Sequence, residues 1–432
     1  MLDRQVCAPF IFLGDKLLKD GGIMGIIIPR GILSGVSWTI VRQKLMKSYS
    51  VKYIISNYDA GGEGRDIEPW NWSEDIHIGE VMLIVKKINK KNKNNETILV
   101  NFWKKPENEY KAILFSLQIK PSKLNNYVKD GVYEEFYDGG EAVGAYYKIP
   151  QNCLGDNWLA PVLFANPNLN SIVLILNEYL MINGRYIKDI VKHKPAKARN
   201  KKTSKTIYLA GMDRKEVEDY FKKDDAKTPY NYIDGVSGIN CLYPVSSIIN
   251  ASLKNSKGKE AFALYSSNLC MAERIWTNSS KLLSIYTEDI KVITTEYWEI
   301  ILNDTYVQYD IAVLLWLNST FGLMYYLSNC INNGGVAFNM KKNNLLLVKI
   351  PEFIFNIDLK KIKQLYNEIR LEPFENFDKQ FIQASNKEGV RFKIDNFFID
   401  LYSDNIKKEN MQEIYKMLSE EPIFKKRSSN KS

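Results

Sequence analysis

A chain of 432 residues with 59 Lys and Arg against 50 Asp and Glu is long enough for two or three domains, and its excess of nine positive charges favours a polyanion as partner. The five cysteines, Cys7, Cys153, Cys241, Cys270 and Cys330, are scattered without a CxxC pair, which argues against a disulfide framework or a zinc cluster and suits a reducing cytoplasm. With His77 and His193 as the only histidines, a His-dependent metal site or catalytic triad has too few parts.

Asp3, Asp15 and Asp20 interrupt the only N-terminal apolar stretch, so no signal peptide is expected. Phe10, Leu13 and Leu17 follow helical spacing and stop at Gly21-Gly22, a helix C-cap. "IMGIIIP" (Ile23–Pro29) is a continuous apolar run closed by proline, expected as a strand buried on both faces of a parallel sheet. Ile40, Val41, Leu45 and Tyr49 mark the apolar face of the next helix, with Ser34 or Ser37 as N-cap. Residues 51–57 and 76–87 read as two more strands. The loop between them, 58–75, has no room for a crossover helix, so that pair should be antiparallel. This rhythm predicts an α/β sheet over residues 1–95, with the polar run "INKKNKNN" (88–95) as a surface turn or domain boundary.

From 96 to 350 the pattern becomes α+β. Aromatic and β-branched segments at 97–103, 206–211, 260–267 and 291–298 read as strands separated by long Asn-, Lys- and Gly-rich connections. The strongest electrostatic feature is "RYIKDIVKHKPAKARNKKTSK" (185–205), with Arg185, Lys188, Lys192, Lys194, Lys197, Arg199, Lys201, Lys202 and Lys205 against the single Asp189. A DNA backbone rewards such clustering, because each neutralised phosphate releases condensed counterions; the alternative is a solvated loop. Residues 311–331 have the length of a membrane span, but Asn318, Ser319, Thr320 and Asn329 break the run and no basic cluster flanks it, so a buried core helix is expected and no membrane partner. Residues 351–432 read as a helical tail with amphipathic segments at 359–369, 392–401 and 411–418. Asp66, Glu68, Glu74 and Asp75 lack the PD-x(n)-ExK order of a nuclease.

The order of four motifs, "LLKDGGIMGIIIPRGIL", "IVRQKLM" with Arg42, "VKYIISN" and "WSEDIHIGEVMLIVKK", resembles the gamma-class N6-adenine DNA methyltransferases of restriction-modification and phage-defence systems. The match covers residues 10–87. Further on, "LLWLNSTFGLMYY", "NNGG" and "VKIP" resemble parts of the target-recognition domains of these enzymes, and "RFKIDNFFIDLY" with "MLSEEPIF" is similar to a helical tail some members carry. The resemblance implies the last strands of a Rossmann-like methyltransferase sheet, with Ile23–Pro29 as its fifth strand, then an α+β target-recognition domain and a helical tail. It implies a site-specific enzyme that binds double-stranded DNA and transfers a methyl group from S-adenosylmethionine to adenine N6.

In the family a glycine-rich turn binds the cofactor and an NPPY motif orients the flipped adenine; both would lie before Met1. "YDAGGEG" (58–64) is followed by no helix, and "ANPNL" (165–169) and "TPYNY" (228–232) echo NPPY in composition only. S-adenosylmethionine is therefore not expected to bind this chain alone, and no catalytic residue is assigned in it. By the resemblance an aromatic between strands six and seven stacks on the everted base. Trp72 matches it, with Tyr58 and Trp70 behind; the alternative is that Trp72 caps the sheet core. Three readings stay open: the C-terminal part of such a methyltransferase, a non-catalytic DNA-recognition subunit that completes its sheet against a separate N-terminal methyltransferase chain, and a remnant of an interrupted gene. A partial sheet should expose an apolar edge at Ile23–Pro29, which predicts aggregation or obligate pairing.

Overall fold

The computed structural model describes residues 7–59, 71–73, 78–88, 95–195, 206–235, 238–332, 334–402 and 410–425. Among them it is a mixed α/β structure with several sheets and fourteen α-helices. Two compact units share the chain. The first is Met1–Leu176 with Leu327–Phe338 and Glu420–Ser432; the second is Asn177–Tyr326 with Asn339–Ser419.

The first unit is built on helices α1 (Ala8–Leu17), α2 (Thr39–Ser48) and α3 (Glu109–Gln118) and strands β1 (Ile23–Pro29), β2 (Tyr49–Asn57), β3 (Glu80–Lys87), β4 (Glu96–Phe102), β5 (Glu134–Asp138) and β6 (Glu141–Pro150). The six strands form one sheet in the order β1-β3-β2-β4-β6-β5. β3 runs antiparallel to both β1 and β2, as the short connection from β2 to β3 required, so β1 and β2 are parallel to each other. β4 then joins β2 in parallel. The sheet therefore runs past the boundary expected at residue 95. "INKKNKNN" separates two strands of one sheet, because Leu99 pairs with Ile54 and is buried on the same face as Val51, Ile54, Leu83 and Val85.

β1 also departs from expectation: it is an edge strand with one neighbour, and its burial alternates in place of being closed on both faces. Helix α1 ends at Leu17, and Gly21-Gly22 form the tight turn into β1 and not the helix cap. Gly21 takes φ +78°, a conformation a side chain would strain, and donates to the Lys87 carbonyl at 3.0 Å while Lys87 N–H donates to the Gly22 carbonyl at 2.8 Å. Asp15 ties α1 to the sheet. It accepts from Tyr49 Oη at 2.7 Å and pairs with Lys44 at 2.9 Å and Lys87 at 3.4 Å. The Lys44 hydrogen bond, with those of Tyr49 and Lys87, holds the Asp15 carboxyl down at about 2.

In the second unit, the apolar run expected as one core helix is two, Asp310–Leu317 and Thr320–Asn329, bent by 88°. The polar residues that break the run make the corner. Asn318 accepts from Leu283 N–H at 2.9 Å and donates to the Ser284 carbonyl at 2.8 Å. Buried Asp395 accepts from Thr320 N–H at 2.7 Å and Oγ1 at 2.6 Å, capping the second helix. Among the described residues no single helix is long and apolar enough to cross a membrane. Residues 260–267, expected as strand, lie mostly in the helix Lys257–Tyr265, while Val292–Thr294 and Tyr297–Ile300 are strands as expected. The tail is helical at Leu359–Ile369, Phe377–Ser385, Gly389–Phe398 and Met411–Glu420.

Candidate nucleic-acid interface

At the C-terminal ends of β1 and β2 the first unit concentrates buried polar groups. Arg42, the arginine singled out on α2, donates from Nη1 to the carbonyls of Ile32 and Gly35 at 2.8 and 2.9 Å. Burial lowers its pKa to about 10, and the two carbonyls it satisfies fix the turn that follows β1. The next arginine was not singled out by the sequence reading. Arg30, directly after the strand-ending Pro29, donates from Nη2 to the Val162 carbonyl at 2.7 Å and to Tyr58 Oη at 3.1 Å, its guanidinium 5.0 Å from the Tyr58 ring centroid. Its Nε and Nη1 have no hydrogen-bond partner among the described residues. Close by, Glu421 accepts from Ala165 and Asn166 N–H at 3.0 and 2.8 Å, and burial pushes its carboxyl up to about 7. Asn101, Tyr147 and Asn170 extend the cluster. Asn101 Nδ2 donates to the carbonyls of Phe164 and Ala165 at 3.1 and 3.0 Å, and Asn170 Nδ2 donates to Tyr147 Oη at 3.0 Å.

This geometry revises the two aromatic candidates. Tyr58 donates its hydroxyl to the Val162 carbonyl and is buried, which raises its pKa, so its ring offers no face to a base. Trp72 meets Phe102 edge-on, with centroids 5.2 Å apart and planes at 87°, and packs against the cluster of Ile98, Val100, Phe115 and Phe136. Its backbone is held as well: Glu80 Oε2 accepts from Trp72 and Ser73 N–H at 3.0 and 2.8 Å. The Trp72 ring therefore caps the sheet core. Trp70, His77, Asp66, Glu68, Glu74 and Asp75 lie outside the described residues.

In the second unit, strands β7 (His193–Pro195) and β8 (Thr206–Tyr208) pair antiparallel, with Lys194 opposite Ile207, and residues 196–205 join them. Five of those ten residues are basic and none is acidic: Lys197, Arg199, Lys201, Lys202 and Lys205, all outside the described residues. Of the rest of the run, Lys188 sits 4.6 Å from the Tyr186 ring and Lys192 pairs with Asp304 at 2.8 Å, beside a cavity of about 320 Å³ lined in part by Leu209, Lys291 and Asp310. Arg185 differs from its neighbours. Its Nε donates to Glu352 Oε2 at 3.0 Å, its Nη1 and Nη2 bond Tyr306 and Glu352, and these partners raise its pKa. Within its own unit the Arg185 guanidinium is thus engaged by a carboxylate.

No family model matches the sequence, and no curated protein matches it. Among solved structures the chain overlaps restriction-modification enzymes. One is the type IIG restriction endonuclease BpuSI, with 13% identity and a TM-score of 0.37 over 95% of this chain and 48% of that one. Another is the ATP-dependent Type ISP restriction-modification enzyme LlaBIII bound to DNA, with 9% identity and a TM-score of 0.36 over 94% of this chain and 32% of that one. TM-scores this low do not establish a shared fold, and the chain spans about half the length of the first structure and a third of the second.

Proposed function

We propose that this chain is the C-terminal part of a site-specific DNA adenine-N6 methyltransferase of a restriction-modification or phage-defence system, recognising double-stranded DNA and completing the sheet of a cofactor-binding half whose residues lie outside this sequence. The observation that carries the reading is the strand geometry at the motif positions. Parallel β1 and β2 flank antiparallel β3, and β1 leaves an apolar edge open on the side where earlier strands belong. The basic sequence that joins β7 to β8 supports DNA contact: five positive side chains within ten residues suit a run of phosphates.

S-adenosylmethionine would be the methyl donor, but the groups present do not fit it. Arg30 would repel a sulfonium, and the buried carboxyl of Glu421 is already occupied by two backbone N–H groups. No step is therefore assigned to this chain beyond binding and positioning DNA.

The test is duplex binding across a salt series, together with transfer from labelled S-adenosylmethionine. Tight, salt-sensitive binding is expected, and alanine at Lys201, Lys202 and Lys205 should lower the log-log salt slope by about 0.9 per lost phosphate contact. Methyl transfer should appear only when a polypeptide with the cofactor and NPPY motifs is added. Absence of duplex binding at low salt would overturn the reading, as would transfer by the chain alone. The inward packing of Tyr58 and Trp72 favours a second reading, a non-catalytic DNA-recognition subunit of a split enzyme, which predicts duplex binding by this chain and transfer only together with a separate N-terminal chain.

A further inference from the structure

Helix α3 is apolar on two opposite faces. Inward, Phe115 is buried with its ring centroid 6.3 Å from Phe102 and 5.9 Å from Phe136. Outward, Tyr110, Ile113, Leu114 and Leu117 fall at i, i+3, i+4 and i+7, one continuous stripe, and Tyr110, Ile113 and Leu117 are 66%, 57% and 65% exposed. The helix cannot turn this stripe inward, because both ends are fixed. Asn108 caps the N-terminus by accepting from Lys111 N–H, and Gln118 clasps the Tyr137 backbone of β5 in both directions, at 2.9 and 2.8 Å. A lone exposed leucine needs no explanation; four apolar side chains in helical register on a clamped helix do.

We infer that this face binds a second copy of the same chain, α3 against α3, antiparallel about a two-fold axis. The charges argue for that occupant. Exposed Glu107 and Glu109 precede the stripe and exposed Lys120 and Lys123 follow it. A two-fold axis through the middle of the stripe sets Tyr110 against Leu117 of the second copy and Ile113 against Leu114, and it brings the end that carries Glu107 and Glu109 to the end that carries Lys120 and Lys123. A parallel pair would set like charges together. None of these four charged side chains has an ion-pair partner among the described residues. The same polarity suits the helix macrodipole, so the charges need their own test.

The test uses the full chain carrying Ile27→Lys, which blocks strand addition at β1, in sedimentation over a concentration series. A dimer is expected. Ile113→Glu with Leu117→Glu, both at exposed positions, should raise its Kd roughly tenfold or more while thermal unfolding stays unchanged. Glu107→Lys with Glu109→Lys should weaken the dimer, as should Lys120→Glu with Lys123→Glu. Mixing those two variants, or combining all four reversals in one chain, should restore it. A monomer at every concentration overturns the inference, as does a dimer indifferent to Ile113 and Leu117. Association that needs the stripe but ignores the charge reversals also overturns it, since the antiparallel arrangement is the claim.

Discussion

At one edge of the first unit's sheet, β5 carries Glu134, Glu135 and Asp138 within five residues; at the other, β1 carries Ile23, Met24, Ile26, Ile27 and Ile28 and no charge at all. Both edges offer unpaired backbone groups to any strand that approaches. A charged edge turns such a strand away, whereas an apolar one with Ile23 63% and Ile27 46% exposed invites it. The sheet is thus finished on one side and unfinished on the other. Even the side chains that hold each edge differ: β5 is clasped by a neutral glutamine, while the β1 side is fastened by buried Arg42 and by the charged group around Asp15.

The contrast can be broken most severely at Arg42. Arg42→Met leaves the Ile32 and Gly35 carbonyls without their donor and should cost on the order of 3 kcal/mol in urea unfolding. Hydrogen exchange should then quicken in β1 and β3 while β5 and β6 stay protected; equal loss at both edges would erase the distinction. Next, Ile23→Lys with Ile27→Lys should lower concentration-dependent association about tenfold with little change in thermal stability, and Glu135→Val should raise it from the opposite edge. Light scattering checks both. Gln118→Ala, which removes the clasp on Tyr137, should cost about 1 kcal/mol and loosen β5 alone. The smallest effect is read out in acid, where it disappears. Because the folded Asp15 carboxyl lies at about 2 against an ordinary 3.8, its contribution is fully present above the ordinary value and is lost as pH falls from there through about 2. Asp15→Asn should flatten that part of the stability profile and lower stability modestly at neutral pH, where the carboxylate's contribution is fully present, the two proteins converging as pH falls to about 2.

How far the sequence revealed this molecule depended on the range of the interaction. Local rhythm located β2 and the end of β3, and the short connection between them forced their antiparallel pairing. Helix Leu359–Ile369 was legible to the residue, because a strong apolar stripe is a local signal. β1 was misjudged for a physical reason: a run of isoleucines looks the same whether its neighbours are present or not. The end of the first unit was hidden because parallel pairing of β4 with β2 joins residues on either side of a polar turn. The bend at Asn318 and Thr320 depends on buried hydrogen bonds to Ser284 and Asp395, partners far along the chain. At the candidate site, the basic run was plain in composition. Its division into a connection between paired strands and an internally paired Arg185 needed the position of Glu352. Arg30 gave one signal, an arginine following a strand-ending proline, and Tyr58 none, since its partner Val162 is remote in sequence.

Glu421 accepts from Ala165 and Asn166, Phe424 lies 6.3 Å from Phe164, Asn157 donates to the Ser328 carbonyl at 2.6 Å, and a side chain on Gly334 would collide with Gly79. A ribosome that has finished β6 therefore holds a nascent sheet whose remaining wall is still some 270 codons from emerging, as the distance from Pro150 to Glu421 sets. Until Glu421 and Phe424 appear the early strands wait half-covered. A frameshift just ahead of Glu421 would do its damage at Ala165, 256 residues earlier in the chain.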